Sequence, residues 1–178
     1  AVVSPFLNGD FVGKIVEGID FAAFEAGYMT AMHATEAKEA DEHAYLHNLI
    51  EMRVDGIILL PVEETAQYQS FEEMRRYKIP FVIVDKAFSE VPVDCVLTDA
   101  RAGAYTATQH LIRLGHHKIA HHAGPECSTT ARARREGFLA AMFDAGLPVQ
   151  RRYLIESSYS DATQQGYEAV LKLMREPD

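Results

Sequence analysis

Residues 114–138 read LGHHKIAHHAGPECSTTARARREGF, and their punctuation decides the fold. Gly115 stops a helix, 118–123 form a short strand, and Gly124 and Pro125 turn the chain into a polar loop. A second helix starts near Thr130 and carries Arg132, Arg134 and Arg135 in its first turns. A loop that runs from the carboxyl end of a strand into a helix N-terminus is where open α/β sheets receive ligands. The pattern predicts basic side chains facing whatever enters there.

Upstream, the same alternation repeats. Residues 1–3 read as a buried strand. Phe11, Ile15, Ile19, Ala22 and Ala23 recur at helical spacing from Asp10 to Ala26, and Gly27 caps that helix. A strand is predicted over 28–33. Residues 38–52 are helical, with Ala44, Leu46, Leu49, Ile50 and Met52 as the apolar face. GIILL (56–60) is a continuous apolar run, the mark of a strand covered on both faces of a parallel sheet, and Pro61 ends it. A helix follows over 65–77, with Phe71 and Met74 inward. IPFVIV (79–84) is another apolar strand, ending at Asp85 and Lys86, and 94–97 is a short one.

Downstream come a helix over 103–114 with Leu111, Ile112 and Leu114 inward, the strand 118–123, and a helix over 130–145. A strand over 153–157 and a helix over 162–175 finish the chain. Short connections between alternating strands and helices predict an α/β fold with right-handed crossovers and parallel sheets. The second half holds two strands against four or five in the first. A two-stranded sheet would leave helix faces bare and an edge unpaired. The expectation is a sequence truncated at its C-terminus, or strands supplied by a partner.

The 178 residues suit one ordinary domain or two small lobes. The net charge of −9 is uneven. Residues 1–98 carry the acidic excess and 99–178 are close to neutral, which places a lobe boundary there. So acidic a chain lacks the footprint of a nucleic-acid-binding surface. No apolar run is long enough to span a membrane. The opening AVVSPF shows no signal peptide and no initiating Met, which suggests a cut or processed form of a cytoplasmic protein. Cys95 and Cys127, without CxxC spacing, read as reduced thiols.

Four runs carry a resemblance. RVDGIILLP (53–61), IPFVIVDK (79–86), TDARAGAYTATQHLIRLGHHKIAHHAGP (98–125) and STTARARREGFLAAMFDAGLP (128–148) resemble the effector-binding core of LacI/GalR-type bacterial transcription regulators. Their order and spacing match along nearly the whole chain. The resemblance implies a type I periplasmic-binding-protein-like fold, with two Rossmann-like lobes, parallel sheets and an incomplete second lobe. It implies a small-molecule effector between the lobes and no cofactor. It also implies a homodimer, with 38–52 and 68–76 as candidate interface helices. Operator DNA would be reached only through a helix-turn-helix headpiece absent from this sequence.

The resemblance also points to site residues. It implies that Arg134 reaches the effector, the alternative being an ion pair with Glu136 or another acid. Arg132 and Arg135 read as structural or solvated. Asp85 either accepts hydrogen bonds from ligand hydroxyls or caps a turn. Lys86 stands where relatives usually carry Arg, and so lacks the bidentate fork. Phe11 offers an aromatic face to the ligand or sits in the core, and Asp10 adds a polar contact. Pro61 and Val62 line the site with backbone groups, and Tyr159 stacks on the ligand. Asp99 and Arg101 lie at the crossover, where they hold the hinge.

Other chemistries find little support. His121 and His122 point to opposite faces of a strand, and pairing His117 with His121 at i, i+4 would require a helix, so no metal site is expected. No GxSxG elbow or GxGxxG loop is present, and no general base adjoins a nucleophile, which argues against an enzyme. The reading is a sensor for a sugar, a nucleobase or an organic acid. The rival is a periplasmic sugar-binding protein of a transporter, which would carry a signal peptide upstream of Ala1.

Overall fold

The computed structural model describes residues 1–7, 9–62, 68–88, 91–157 and 162–175. The chain forms two compact units, Ala1–Leu97 and Thr98–Asp178. The first holds β1 (Val2–Ser4), α1 (Asp10–Glu25), β2 (Met32–Ala34), α2 (Glu39–Glu51), β3 (Ile57–Leu59), α3 (Tyr68–Arg76), β4 (Phe81–Val84) and β5 (Cys95–Val96). Its five strands are all parallel, in the order β2-β1-β3-β4-β5.

Alternation along β1 divides the core. Val3 points to the side of α2 and α3, among Leu46, Leu49, Ile57, Leu59, Phe71 and Met74. Val2 points the other way, with Val16 of α1 and Leu60. On the α2–α3 side, Phe71 stacks on Phe81 at 5.2 Å and meets Phe88 edge-on at 5.0 Å. Among the described residues, α1 is the helix that packs on the other side. Ile58, Val82 and Val84 are only half-buried there, so the strands expected to be covered on both faces are fully covered on one. An open cavity of about 1120 Å³, lined in part by Val2, Ile19, Tyr28, Met29, Ile58 and Val82, runs along the amino ends of these strands.

Three local departures have physical causes. Strand β2 starts at Met32, later than the spacing predicts, because α1 ends in a Schellman motif: the Gly27 N–H donates to the Phe24 carbonyl (3.0 Å) and the Tyr28 N–H to that of Ala23 (2.9 Å). Ala44 and Met52 are exposed, and the buried stripe of α2 instead runs through Glu42, Leu46, Leu49 and Ile50. Helix α4 starts at Ala100, earlier than expected, because the Asp99 carboxylate caps it by accepting from the Ala102 N–H at 2.9 Å.

The second unit holds α4 (Ala100–Arg113), β6 (His121–Ala123), α5 (Thr129–Asp144), β7 (Leu154–Glu156) and α6 (Ala162–Arg175). Among the described residues its sheet is the parallel pair β6-β7. Ile119, Phe138 and Met142 form its buried centre. Leu111 and Leu114, expected inward, are exposed. Helices α4 and α5 meet backbone to side at Gly137, where a Cβ would lie 2.1 Å from the Arg101 carbonyl oxygen.

Two stability predictions follow from this geometry. Gly137→Ala drives a methyl into backbone that has no room to yield, and should cost about 1–3 kcal/mol or more. Helices α2 and α3 end with Arg53 (φ 54°) and Lys78 (φ 58°) in the left-handed position that favours glycine. Arg53→Gly and Lys78→Gly should each stabilise by roughly 0.5–1 kcal/mol, the relief of left-handed strain outweighing the added freedom of the unfolded chain. Urea unfolding of the three variants checks both signs.

Candidate functional site

In the first unit, β1 lies between β2 and β3, so the chain leaves it in opposite directions along the sheet. Such a switch point opens a recess beyond the strand carboxyl ends. The Ser4 side chain, fully buried, donates to the Phe6 carbonyl at 2.8 Å. Its own carbonyl accepts from the Thr35 N–H at 3.0 Å. The loop beyond is anchored at its root, and apolar groups are exposed in it and after it: Phe6 is 49% exposed, and Phe11, in the first turn of α1, 50%. Phe11 therefore does not belong to the core. Phe6 was not singled out from sequence, although an aromatic directly after a buried strand was the available signal. Gly9 adopts φ 93° before α1, and Asp10, exposed in the helix's first turn, complements its N-terminal dipole.

Pro61 is buried and Val62 half-buried beyond β3. The Val62 N–H donates to Glu42 Oε2 at 2.8 Å, and Lys86 Nζ donates to the Val62 carbonyl. The Val62 backbone groups, which the sequence offered to a ligand, are thus engaged by this chain's own side chains. Glu42 is fully buried and was missed from sequence. The signal was its position four residues before Leu46, on the apolar stripe of α2. At the end of β4, Asp85 is half-buried, has φ 70°, and donates its N–H to the Val96 carbonyl at 3.0 Å. A left-handed non-glycine residue at a strand end turns the chain sharply at the ligand-facing edge.

In the second unit, Ser128 caps α5, its side chain accepting from the Ala131 N–H at 3.3 Å. Arg135 is structural: it meets Glu156 at 3.2 Å and Glu126 at 3.7 Å. Arg132 and Arg134 are exposed. Among the described residues Arg134 makes no hydrogen bond or ion pair, so the pairing with Glu136 weighed above does not form. Tyr159 lies outside the described residues. His121 stacks on Phe138 of α5, with ring centres 5.1 Å apart, whereas His122 is exposed and lies toward Gly166 of α6. Among the described residues no group of three His, Cys, Asp or Glu is placed to hold a metal.

Among the described residues, the strand ends of the first unit carry aromatic rings and carboxylates, and that of the second, separately, the Arg134 guanidinium. An aromatic face suits the C–H side of a polyol, a carboxylate accepts from hydroxyls, and a guanidinium donates to their oxygens. The cavity at the opposite, amino edge also holds rings and acids, Tyr28, Phe81, Asp55 and Asp94, but its guanidinium, Arg75, is engaged by the Pro92 carbonyl.

The profile of a family described as periplasmic binding proteins and the sugar binding domain of the LacI family matches residues 2–178. The ribose operon repressor of Escherichia coli is 34% identical over 168 residues, covering 94% of this chain and 50% of the repressor. The HTH-type transcriptional regulator DegA of Bacillus subtilis is 30% identical over 175 residues, covering 98% of this chain and 51% of that protein. The chain thus spans about half the length of the curated relatives it matches. A LacI family transcriptional regulator from Enterococcus faecium, solved with bound ribose, superposes with a TM-score of 0.80 at 28% identity, covering 98% of this chain and 62% of that one.

One titration is accessible to test. Burial pushes the His121 imidazole below the ordinary histidine value, and the charges of Arg135, His122 and Arg134 act in the same direction. Unfolded, His121 takes up a proton near pH about 6.5, but folded it does so only at lower pH. Acid therefore favours the unfolded chain: the contribution is fully present above pH about 6.5 and is lost as pH falls below it. His121→Phe, which keeps the stack on Phe138, should lose less stability than the native chain between about pH 7.5 and about pH 5.5, as read by urea unfolding.

Proposed function

Because the chain belongs to the family of periplasmic binding proteins and LacI-type sugar binding domains, we propose that it is the effector-sensing core of a transcription regulator and that its effector is a sugar. The observation that carries the reading is the uncommitted guanidinium of Arg134 at the start of α5, where ligands of α/β sheets bind. In the second unit Arg134 donates to effector oxygens, and Tyr159 stacks on the ring. In the first, Asp85 and Asp10 accept from hydroxyls, Phe11 covers an apolar face of the sugar, and Pro61 shapes the wall. The relatives named as a ribose operon repressor and a ribose-bound regulator support a sugar, and favour regulation over delivery to a transporter.

In this reading the whole protein is a non-enzymatic, cytoplasmic homodimer that meets operator DNA through a separate headpiece. The lobes are 1–98 and 99–178. Effector and operator are linked because each prefers one conformation, so each changes the affinity for the other by the same factor.

A thermal-shift screen of the full-length protein against ribose, other sugars, purines and organic acids tests this. Ribose or another sugar should raise the melting temperature, and Arg134→Ala should weaken that sugar about tenfold or more, the usual consequence of losing a charge-assisted hydrogen bond. A response to organic acids alone overturns the sugar, and an unchanged shift in Arg134→Ala removes that residue from the site.

A further inference from the structure

The site described above leaves Glu42 unexplained. It is a fully buried acid on the apolar stripe of α2, beside Leu46, Leu49 and Ile50. Burying a carboxylate is costly unless it is held by hydrogen bonds or charges. Here one oxygen accepts from the Val62 N–H at 2.8 Å. On the other side of the same residue, the half-buried Lys86 gives its ammonium to the Val62 carbonyl. One residue of the loop after β3 is therefore held at both backbone groups by opposite charges, from α2 on one side and from the end of β4 on the other. With its N–H and C=O both tied, the Val62 backbone is held from two sides. Val62 follows β3, which borders the switch point, so the clamp sits at the carboxyl edge where ligands of such sheets bind.

We propose that Glu42 and Lys86 are positioning residues that fix the Val62 backbone at the carboxyl end of β3, on the effector-facing edge. Lys86 is then a loop anchor, and its ammonium does not contact the effector. The effect on affinity rests on the sugar-sensor reading above, whereas the clamp itself does not.

The test uses the full-length protein with D-ribose as the probe, and three variants. Glu42→Leu suits the apolar surroundings of the stripe but removes the acceptor. Glu42→Gln keeps an acceptor oxygen. Lys86→Met removes the second arm and keeps the stem. Amide hydrogen exchange at Val62 should accelerate about tenfold or more in Glu42→Leu, and return to within about threefold of native in Glu42→Gln. Ribose affinity should follow the same order, with Lys86→Met weakened about as much as Glu42→Leu. A merely structural Glu42 predicts changed stability with native exchange at Val62 and native ribose affinity in the folded fraction, and that result overturns the proposal. If the native protein does not bind ribose, the choice of ribose fails by itself and exchange at Val62 decides the clamp: acceleration in Glu42→Leu with recovery in Glu42→Gln supports it, and native exchange in both overturns it.

Discussion

The ligand-facing edge of the first unit depends on one constraint, the burial of β1 between β2 and β3. Val2, Val3 and Ser4 are all buried, and the strand is paired on both sides, Val3 lying opposite His33 and Leu59. A three-residue strand gains little from its own propensity. It is held by neighbours on both edges and by apolar side chains above and below, with Val2 and Val3 shared between two cores. Because β1 has a neighbour on each side, the crossovers through α1 and α2 run in opposite directions along the sheet and lie on opposite faces. The recess is a by-product of topology, and the side chains at its rim decide what it recognises.

Much of this was legible. GIILL and IPFVIV announced parallel strands because apolar runs bounded by turn residues have few other homes, and the inward places of Phe71 and Met74 follow from helical spacing alone. What escaped was whatever a partner elsewhere in the chain decides. Leu111 and Leu114 are apolar at inward spacing, yet exposed. Glu42 is charged, yet buried, because its partner is a backbone N–H twenty residues away. The exposure of Phe11 was undecidable from spacing, since an aromatic at the start of a helix serves either as core or as a ligand platform.

Arg134 and Arg135 show the same limit at the candidate site. They are adjacent, identical in chemistry and in the first turns of one helix. Only the positions of Glu126 and Glu156 separate them, by drawing Arg135 into an ion-pair network while Arg134 stays uncommitted. The resemblance to a family distinguished them before the geometry did, because a family pattern encodes which side of the helix is used.

Lys86 gives the comparison of sugar with organic acid a physical basis. A lysine is a compact charge on a flexible stem, suited to a single carbonyl, whereas an arginine brings a planar fork with several donors to satisfy. At the end of β4 the lysine is turned onto Val62. Among the described residues, that edge of the first unit also carries the acids Asp10 and Asp85 and the rings of Phe6 and Phe11. Two carboxylates repel an anion and accept from hydroxyls, and exposed rings favour a ligand with an apolar face. A neutral polyol meets both demands. An organic acid would meet the repulsion of Asp10 and Asp85 at this edge, whereas a neutral polyol would not.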